Sequence, residues 1–447
     1  MATVRWFSNV RTPRHRGRVS LKAGKGLILG ASLLVLLATT ATLPTLAAGE
    51  SGTWRAAGSL IQQRDNGQTA TLLPDGTVLV AGGQDSTGTI TAETEIFHPA
   101  DSTWVKGRPM GGPRLGHTAV RLDDGRVLVI GGLTAFGTLV NTPMPTAEVY
   151  DPAAQAWSRT GAMPTAVIQP AAVVLPDSRV LAVGGSPDGT VGSPAIQVFD
   201  PRTNLWTALR PMSTARRGPA ALLLHTGKVL VAGGAASDSD GSLATAEVYD
   251  PAASTWTAAA PMSTSHAHGL YAVLPDGRAM VSGGVDFQGG NAISVTATDL
   301  YDPGSNIWTV AAPLRAGRAV GSGALLANGL YLAVGGYRVR NGVSAQATAE
   351  IFDPSAGTWT MLPPMSTARV GGSVVALSGN RALVVAGTRL PDTELFNLSA
   401  PVASRGLGSV TSGGVTISIF NLALVATTAL LVFAVVAQVL WRRRAGS

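Results

Sequence analysis

Short apolar runs, punctuated by glycine, set the pattern of this chain. Val78-Leu79-Val80, Val127-Leu128-Val129-Ile130 and their downstream counterparts are rich in β-branched residues and bounded by turn signals. They are too short for independent helices and predict buried strands. The runs end in Gly-Gly at Gly82, Gly131, Gly184, Gly233, Gly283 and Gly335, with Ala386-Gly387 as an eroded seventh copy. Successive copies lie 49, 53, 49, 50, 52 and 51 residues apart. One supersecondary unit repeats along most of the chain.

Each unit has further punctuation. Asp75-Gly76, Asp124-Gly125, Asp276-Gly277 and Asn328-Gly329 precede the apolar runs and predict two-residue hairpin loops at positive φ. Asp-Pro at 151–152, 200–201, 250–251, 302–303 and 353–354 starts a second turn, with proline at its second position. A tryptophan follows on what reads as an outer strand, where its ring can pack on the neighbouring unit. Four antiparallel strands per unit result, with short turns on one face and longer, variable connections on the other. The tryptophans, Trp54, Trp104, Trp157, Trp206, Trp256, Trp308 and Trp359, are offset by one unit from the Gly-Gly series. Ser51–Ala57 is therefore expected to complete the unit begun after Met365, which removes an exposed sheet edge.

The Gly-Gly, Glu-Val-Tyr-Asp-Pro and Trp positions resemble the kelch repeat family over about residues 50–399. The resemblance implies an all-β, seven-bladed β-propeller closed by an N-terminal strand, or six blades if the eroded copy forms none. It implies no single activity, because that family includes enzymes and interaction modules.

The ends differ from the middle. Seven basic residues precede Leu27, and an apolar run, Leu27–Leu43, is followed by Pro44 and small residues. Residues 1–48 thus read as a secretory signal peptide, or an uncleaved anchor. Residues 49–399 are the propeller and 400–414 a flexible, small-residue linker. Val415–Leu440 carries no charge, and residues 415–441 are expected to form a transmembrane helix, with a cytoplasmic basic tail at 442–447. That topology places the propeller outside the cell membrane on a single span. The +7 net charge resides in these ends: without their ten basic residues, 23 basic face 26 acidic residues. A nucleic-acid partner is not expected, since its basic footprint would sit on the folded domain. Leu390-Pro391-Asp392-Thr393-Glu394 resembles a sortase signal but falls on a repeat column, which is the preferred reading.

Aligning the copies exposes a basic column, Arg64, Arg114, Val167, Arg216, His266, Arg318 and Arg369, and an acidic one, Glu95, Glu148, Gln197, Glu247, Asp299, Glu350 and Glu394. The copy that lost its base, at Val167, also lost its acid, at Gln197. The copy with the shorter base, His266, has the shorter acid, Asp299. Matched loss predicts a salt bridge inside each repeat, with arginine reaching across the Gly-Gly strand, in preference to a ring of charge for an anionic ligand.

No catalytic, cofactor-binding or metal motif stands out. There is no G-x-S-x-G, no H-E-x-x-H and no phosphate-binding glycine loop, and His266 with His268 is a weak metal signal. The kelch-fold copper oxidases need a Tyr–Cys crosslink, and this chain has no cysteine. The variable loops carry the remaining candidates: Arg217, His268, Arg315, Tyr337, Arg338 and Arg340 as contacts for a protein or surface polysaccharide. The rival reading is an extracellular carbohydrate-active enzyme with its site in the propeller mouth, for which Asp188, Asp238, Asp240 and Asp286 are the loop acids. A third reading is a structural partner of another membrane protein that uses the span as well as the propeller.

Overall fold

The structure is a computed structural model. It describes residues 52–85, 87–134, 142–237, 240–288, 291–339, 343–387, 390–399, 409–412 and 415–418.

Gly52–Asn397 belong to one compact unit built from seven four-stranded sheets. Blades 1 to 6 take residues 69–106, 118–159, 171–208, 220–259, 270–311 and 322–362. In blade 2, for example, Thr118–Arg121, Val127–Ile130, Ala147–Asp151 and Ala156–Arg159 run from the innermost strand to the outermost. Blade 7 joins Ser373–Leu377, Arg381–Val385 and Leu390–Leu398 to the N-terminal strand Gly52–Arg64. The eroded copy does form a blade, and the ends of the repeat array close on each other. The innermost strands contact one another in a closed ring around the axis.

Burial follows the sequence pattern. Second strands such as Val78–Ala81 and Val229–Ala232 are buried throughout and supply the core between blades. Each outer-strand tryptophan lies over an aromatic ring of its own blade, with centroids 4.9–5.2 Å apart. Its indole N–H donates to an oxygen of the preceding blade at 2.8–3.1 Å, as from Trp157 to the Arg108 carbonyl and from Trp54 to the Pro363 carbonyl. The ring thus stacks on an aromatic of its own blade and also joins the apolar core shared with the preceding blade, as Trp104 and Trp206 do, while its polar edge staples that neighbour.

The Asp-Gly turns are not two-residue loops. Leu73 N–H donates to Thr77 O, and Gly76 N–H to Leu73 O, so three residues intervene. Of these only Gly76, at φ 85°, is left-handed. This is a type I turn followed by a glycine bulge.

The Gly-Gly doublets are left-handed at both residues, with first-position φ of 62–66°. A Cβ on Gly131 would fall onto the Val167 carbonyl oxygen. Ala386 occupies this position in blade 7 at φ 55°. Left-handed backbone costs an L-residue about 1–2 kcal/mol, while glycine loses about 0.4–1 kcal/mol through its freer unfolded chain. Ala386→Gly is expected to raise stability by up to about 1 kcal/mol, read as a higher denaturation midpoint. A lower midpoint would mean the methyl group packs favourably enough to outweigh the strain.

Outside the propeller, Ser409–Ser412 and Val415–Ser418 pair as an antiparallel hairpin. The expected signal segment, 1–48, the basic tail and the rest of the expected transmembrane helix, from 419 onward, lie outside the described residues. Among the described residues no helix is long and apolar enough to cross a membrane.

Candidate functional site

The loop face begins at the ladder. Each base lies in the segment entering an innermost strand, and each acid lies at the start of a third strand. Between them runs the strand ending in Gly-Gly. In six blades base and acid meet at 2.7–3.1 Å: Arg64–Glu95, Arg114–Glu148, Arg216–Glu247, His266–Asp299, Arg318–Glu350 and Arg369–Glu394. The bases are 0–2% exposed. In blade 2, Arg114 Nη1 donates to the carbonyls of Gly131 and Thr146 at 3.0 and 2.8 Å, while Nη2 and Nε reach one oxygen of Glu148. The other Glu148 oxygen accepts the Gly111 N–H at 2.6 Å. The pairing is thus not a two-pronged fork: one carboxylate oxygen holds the base and the other holds backbone. In blade 3, Val167 is buried and Gln197 spends its amide on the Thr165 N–H and carbonyl.

Burial pushes the guanidinium of Arg64, Arg216 and Arg318 down, and the partner carboxylate pulls each back. At Glu247 burial pushes the carboxyl up, but hydrogen bonds from Ser213 and Arg216 outweigh it and hold it below its ordinary value. The ladder is therefore a charge-neutral internal tie, closed to ligands.

Two or three residues beyond each base, a left-handed residue turns the chain into the mouth: Gly67, Gly116, Gln169, Gly218, His268, Val320 and Gly371. Gly116 N–H donates to Gly67 O, Gln169 N–H to Gly116 O and His268 N–H to Gly218 O, which stitches blades together around the opening. A β-branched residue is the least suited to this conformation, and Val320 has it at φ 52°. The four glycines were the available signal in the sequence, but without the ring geometry they read as ordinary turns.

His117 lies beneath this ring, buried, with Nε2 3.0 Å from the Thr69 hydroxyl. Burial, then the charges of Arg114 and Arg64, lower its pKa from 6.5 to about 3. The folded ring stays neutral where the unfolded one is protonated, so the unfolded state binds more protons between those values. Its contribution is complete above about pH 6.5 and is lost as pH falls toward 3. His117→Gln is expected to flatten the acid side of the stability profile by up to about 1.4 kcal/mol per pH unit. Equal slopes in the two proteins would place the acid sensitivity elsewhere.

Three loops rise as hairpins: Ala235–Ser237 with Gly241–Ser242, Val285–Gln288 with Asn291–Ser294, and Tyr337–Val339 with Val343–Ala345. They are laced side by side. Ser242 Oγ donates to Val285 O at 3.0 Å and accepts from Phe287 N at 3.1 Å, and Ser294 Oγ accepts from Val339 N at 3.1 Å. Beneath them Ala235, Ala267, Val285 and Ala319 form an apolar cluster against Phe287, Ala292 and Tyr337. Above, Ile293 and Val343 are 48% and 42% exposed, joined by Val191 of the blade 3 loop at 40%. The Asp286↔Ile293 pairing turns Ile293 away from the cluster that Phe287 and Ala292 join. Sequence reasoning missed this crest, although Gly289-Gly290 between two alternating runs is a hairpin signal.

The loop candidates scatter. Arg217 is 1% exposed, its Nη1 donating to Gly189 O at 2.7 Å, so it has no surface to offer a partner. It directly follows the blade 4 ladder base and pairs with Ala235, so it has a repeat role after all. Arg315 is exposed, but its N–H donates to the ladder acid Glu350 at 2.7 Å, as the Ala316 N–H does at 3.3 Å. His268 is a half-buried member of the mouth ring. Tyr337 is half-buried in the crest, where burial and then Asp65 raise its phenol pKa. Arg338 is exposed on the same hairpin, and Arg340 lies outside the described residues.

Burial pushes the Asp188 carboxyl up, but hydrogen bonds from Val191, Thr190 and Ser186 hold it below its ordinary value. Asp286 accepts the Ser265 hydroxyl at 2.5 Å, Asp240 is exposed, and Asp238 lies outside the described residues. Among the described residues no three His, Asp or Glu side chains gather where a metal could be held.

A family model described as the Kelch motif matches residues 68–111, 113–164, 216–263 and 318–366. The copies outside these spans are those with Val167 and Gln197, His266 and Asp299, and Ala386. A structure titled as a novel fungal alcohol oxidase of the AA5 family in complex with copper is similar at a TM-score of 0.63 and 18% identity. The match covers 78% of this chain and 76% of that one. A second structure, of a protein called YjhT, is similar at a TM-score of 0.53 and 17% identity, over 68% of this chain and 99% of that one. No curated protein matches. At these identities the likeness concerns the fold.

Proposed function

Because this chain belongs to the kelch-repeat β-propellers, we propose that it is a binding module whose working surface is the loop face, and that its partner is a protein. The crest carries this reading. Three laced hairpins over a packed cluster present Ile293, Val343 and Arg338 to solvent on a rigid support. Loops held on a rigid scaffold are where propellers vary and where recognition is economical in ordering entropy. Exposed apolar residues beside an arginine match the composition of interface centres. The exposed large apolar residues described on the crest are aliphatic, which favours a protein surface over the aromatic platforms that sugars stack on. We further propose, from the charge pattern of the termini, that the propeller stands outside the cell membrane on a C-terminal span.

The test uses the full-length chain as bait against the envelope of its source, with glycan arrays in parallel. Specific capture of a protein, weakened at least tenfold by Arg338→Ala or Ile293→Asp without a change in melting temperature, is the expected result. Capture of a glycan would replace the partner class, and turnover of that glycan would replace the reading with that of an enzyme.

A further inference from the structure

We propose that the open edge of the crest, the strand Val343–Ala345, takes up an extended segment of the protein partner as one further β-strand. This rests on the loop-face reading above and names the mode of contact. The crest is built by addition. In the blade 4 hairpin Ser242 lies opposite Ala235, and its Oγ engages Val285 O and Phe287 N of the next hairpin. Ser294 holds the same register in blade 5, opposite Val285, and accepts the Val339 N–H of blade 6. Ala345 holds that register in blade 6, opposite Tyr337, and the hydroxyl lacing stops there. Blade 7 has only residues 386–389 between its second and third strands, where blade 6 has 335–348, so its link is too short to add another such hairpin.

Neighbouring bonds fix the direction of the edge's backbone groups. Tyr337 N–H donates to Ala319 O at 2.7 Å and Val339 N–H to Ser294 Oγ at 3.1 Å, both away from Val343–Ala345. Gln346 N–H donates to Gly336 O at 3.0 Å, which makes that pair a hydrogen-bonded rung. Such rungs alternate along an antiparallel pair, so Arg338 and Ser344 form the next one. Val343 and Ala345 fall in the intervening pairs, and their own N–H and C=O groups point outward. These groups recur every second residue, about 7 Å along the strand. Among the described residues no protein group takes them. Donors and acceptors at that spacing are the complement of an extended polypeptide, which is how a strand adds to a sheet edge.

The side chains specify the segment further. Val343 is half exposed beside Val339, which is buried, so a residue added next to Val343 continues an apolar row. Arg338 and Ser344 are exposed and alternate with that row. A carboxylate added next to Ser344 would stand two strand spacings, roughly 10 Å, from the Arg338 backbone, within reach of the guanidinium across the small serine. The segment therefore alternates apolar and polar residues and carries an acid. Exposed edges are ordinarily blunted by charge or proline, and Val343-Ser344-Ala345 has neither.

The probe is a random peptide library displayed on phage and selected on the full-length chain, with hydrogen exchange resolved to single amides. In the dilute, unliganded chain the Val343 and Ala345 amides are expected to exchange at least tenfold faster than those of Ser344 and Gln346. Selected peptides should slow Val343 and Ala345 at least tenfold and leave Ser344 unchanged. Val343→Pro removes one outward N–H and should weaken those peptides at least tenfold, with a slow Ser344 amide reporting an intact hairpin. Arg338→Glu, at an exposed position, should turn the selected preference from acidic to basic residues. Val343 and Ala345 amides already slow in the dilute chain would overturn the proposal, and slowing that grows with protein concentration would put a second copy on the edge instead. Peptides that protect Asn291–Ser294 but not Val343 and Ala345 would overturn it while leaving loop-face recognition standing. Peptides that protect only the outer strands would overturn both, and a library that yields no binder would overturn the edge.

Discussion

Arg114→Ala is expected to destabilise the propeller by about 3–5 kcal/mol, and Glu148→Ala by a similar amount, because each leaves its partner's charge buried and uncompensated. The loss at Arg114 also strands the carbonyls of Gly131 and Thr146, to which Nη1 donates. The loss at Glu148 strands the Gly111 N–H. Removing both should cost clearly less than the sum of the single losses, since neither charge then remains. Blade 3 shows a folded alternative, with Val167 and Gln197 at the two positions. Arg114→Val combined with Glu148→Gln is therefore expected to be milder than either alanine change alone. Denaturant melts of the single and paired variants give the coupling, and strictly additive losses would contradict a paired ladder.

Deleting Gly52–Arg64 is expected to abolish cooperative folding. The deletion removes the outer strand of blade 7 and exposes the edge of Leu390–Leu398. It also removes Trp54, whose ring lies 4.9 Å from Phe396 and whose N–H reaches Pro363 O. In addition it takes away Arg64, leaving Glu95 buried and unpaired in blade 1. A domain's whole stability is about 5–15 kcal/mol, and these losses fall in both blade 7 and blade 1, where the N-terminal strand closes the ring. Loss of the melting transition, with rapid proteolysis, is the expected outcome. A truncated chain that melts cooperatively at the original temperature would mean that the closing strand is dispensable.

Much of this architecture was legible because repeats print the same physics several times. The Gly-Gly doublets, Asp-Pro turns and tryptophans locate strands by position, and the offset of Trp54 from the Gly-Gly series points to closure by the N-terminal strand. The paired loss at Val167 and Gln197 marks the two ladder columns as neighbours from the sequence alone. What escaped was whatever does not repeat. The crest depends on hydroxyls such as Ser242 and Ser294 meeting backbone of the next blade, contacts some 45 residues apart with no periodic trace. Arg217 read as a surface contact because it falls outside the ladder columns, yet Gly189 of the preceding blade buries it. The left-handed ring escaped because Gln169, His268 and Val320 carry none of the glycine signal their backbone conformation calls for.

Recognition is proposed for the loop face, while the turn face neutralises its own charges, as Arg126–Asp124, Arg179–Asp177 and Arg278–Asp276 do. Photo-crosslinking separates the two faces, with a reactive residue placed at Ile293 in one full-length chain and at Arg202 of the turn face in another, each in the envelope of its source. Discrete adducts from position 293 and none from position 202 are the predicted result. Adducts from position 202 alone would contradict the account and move the binding surface to the opposite side of the propeller.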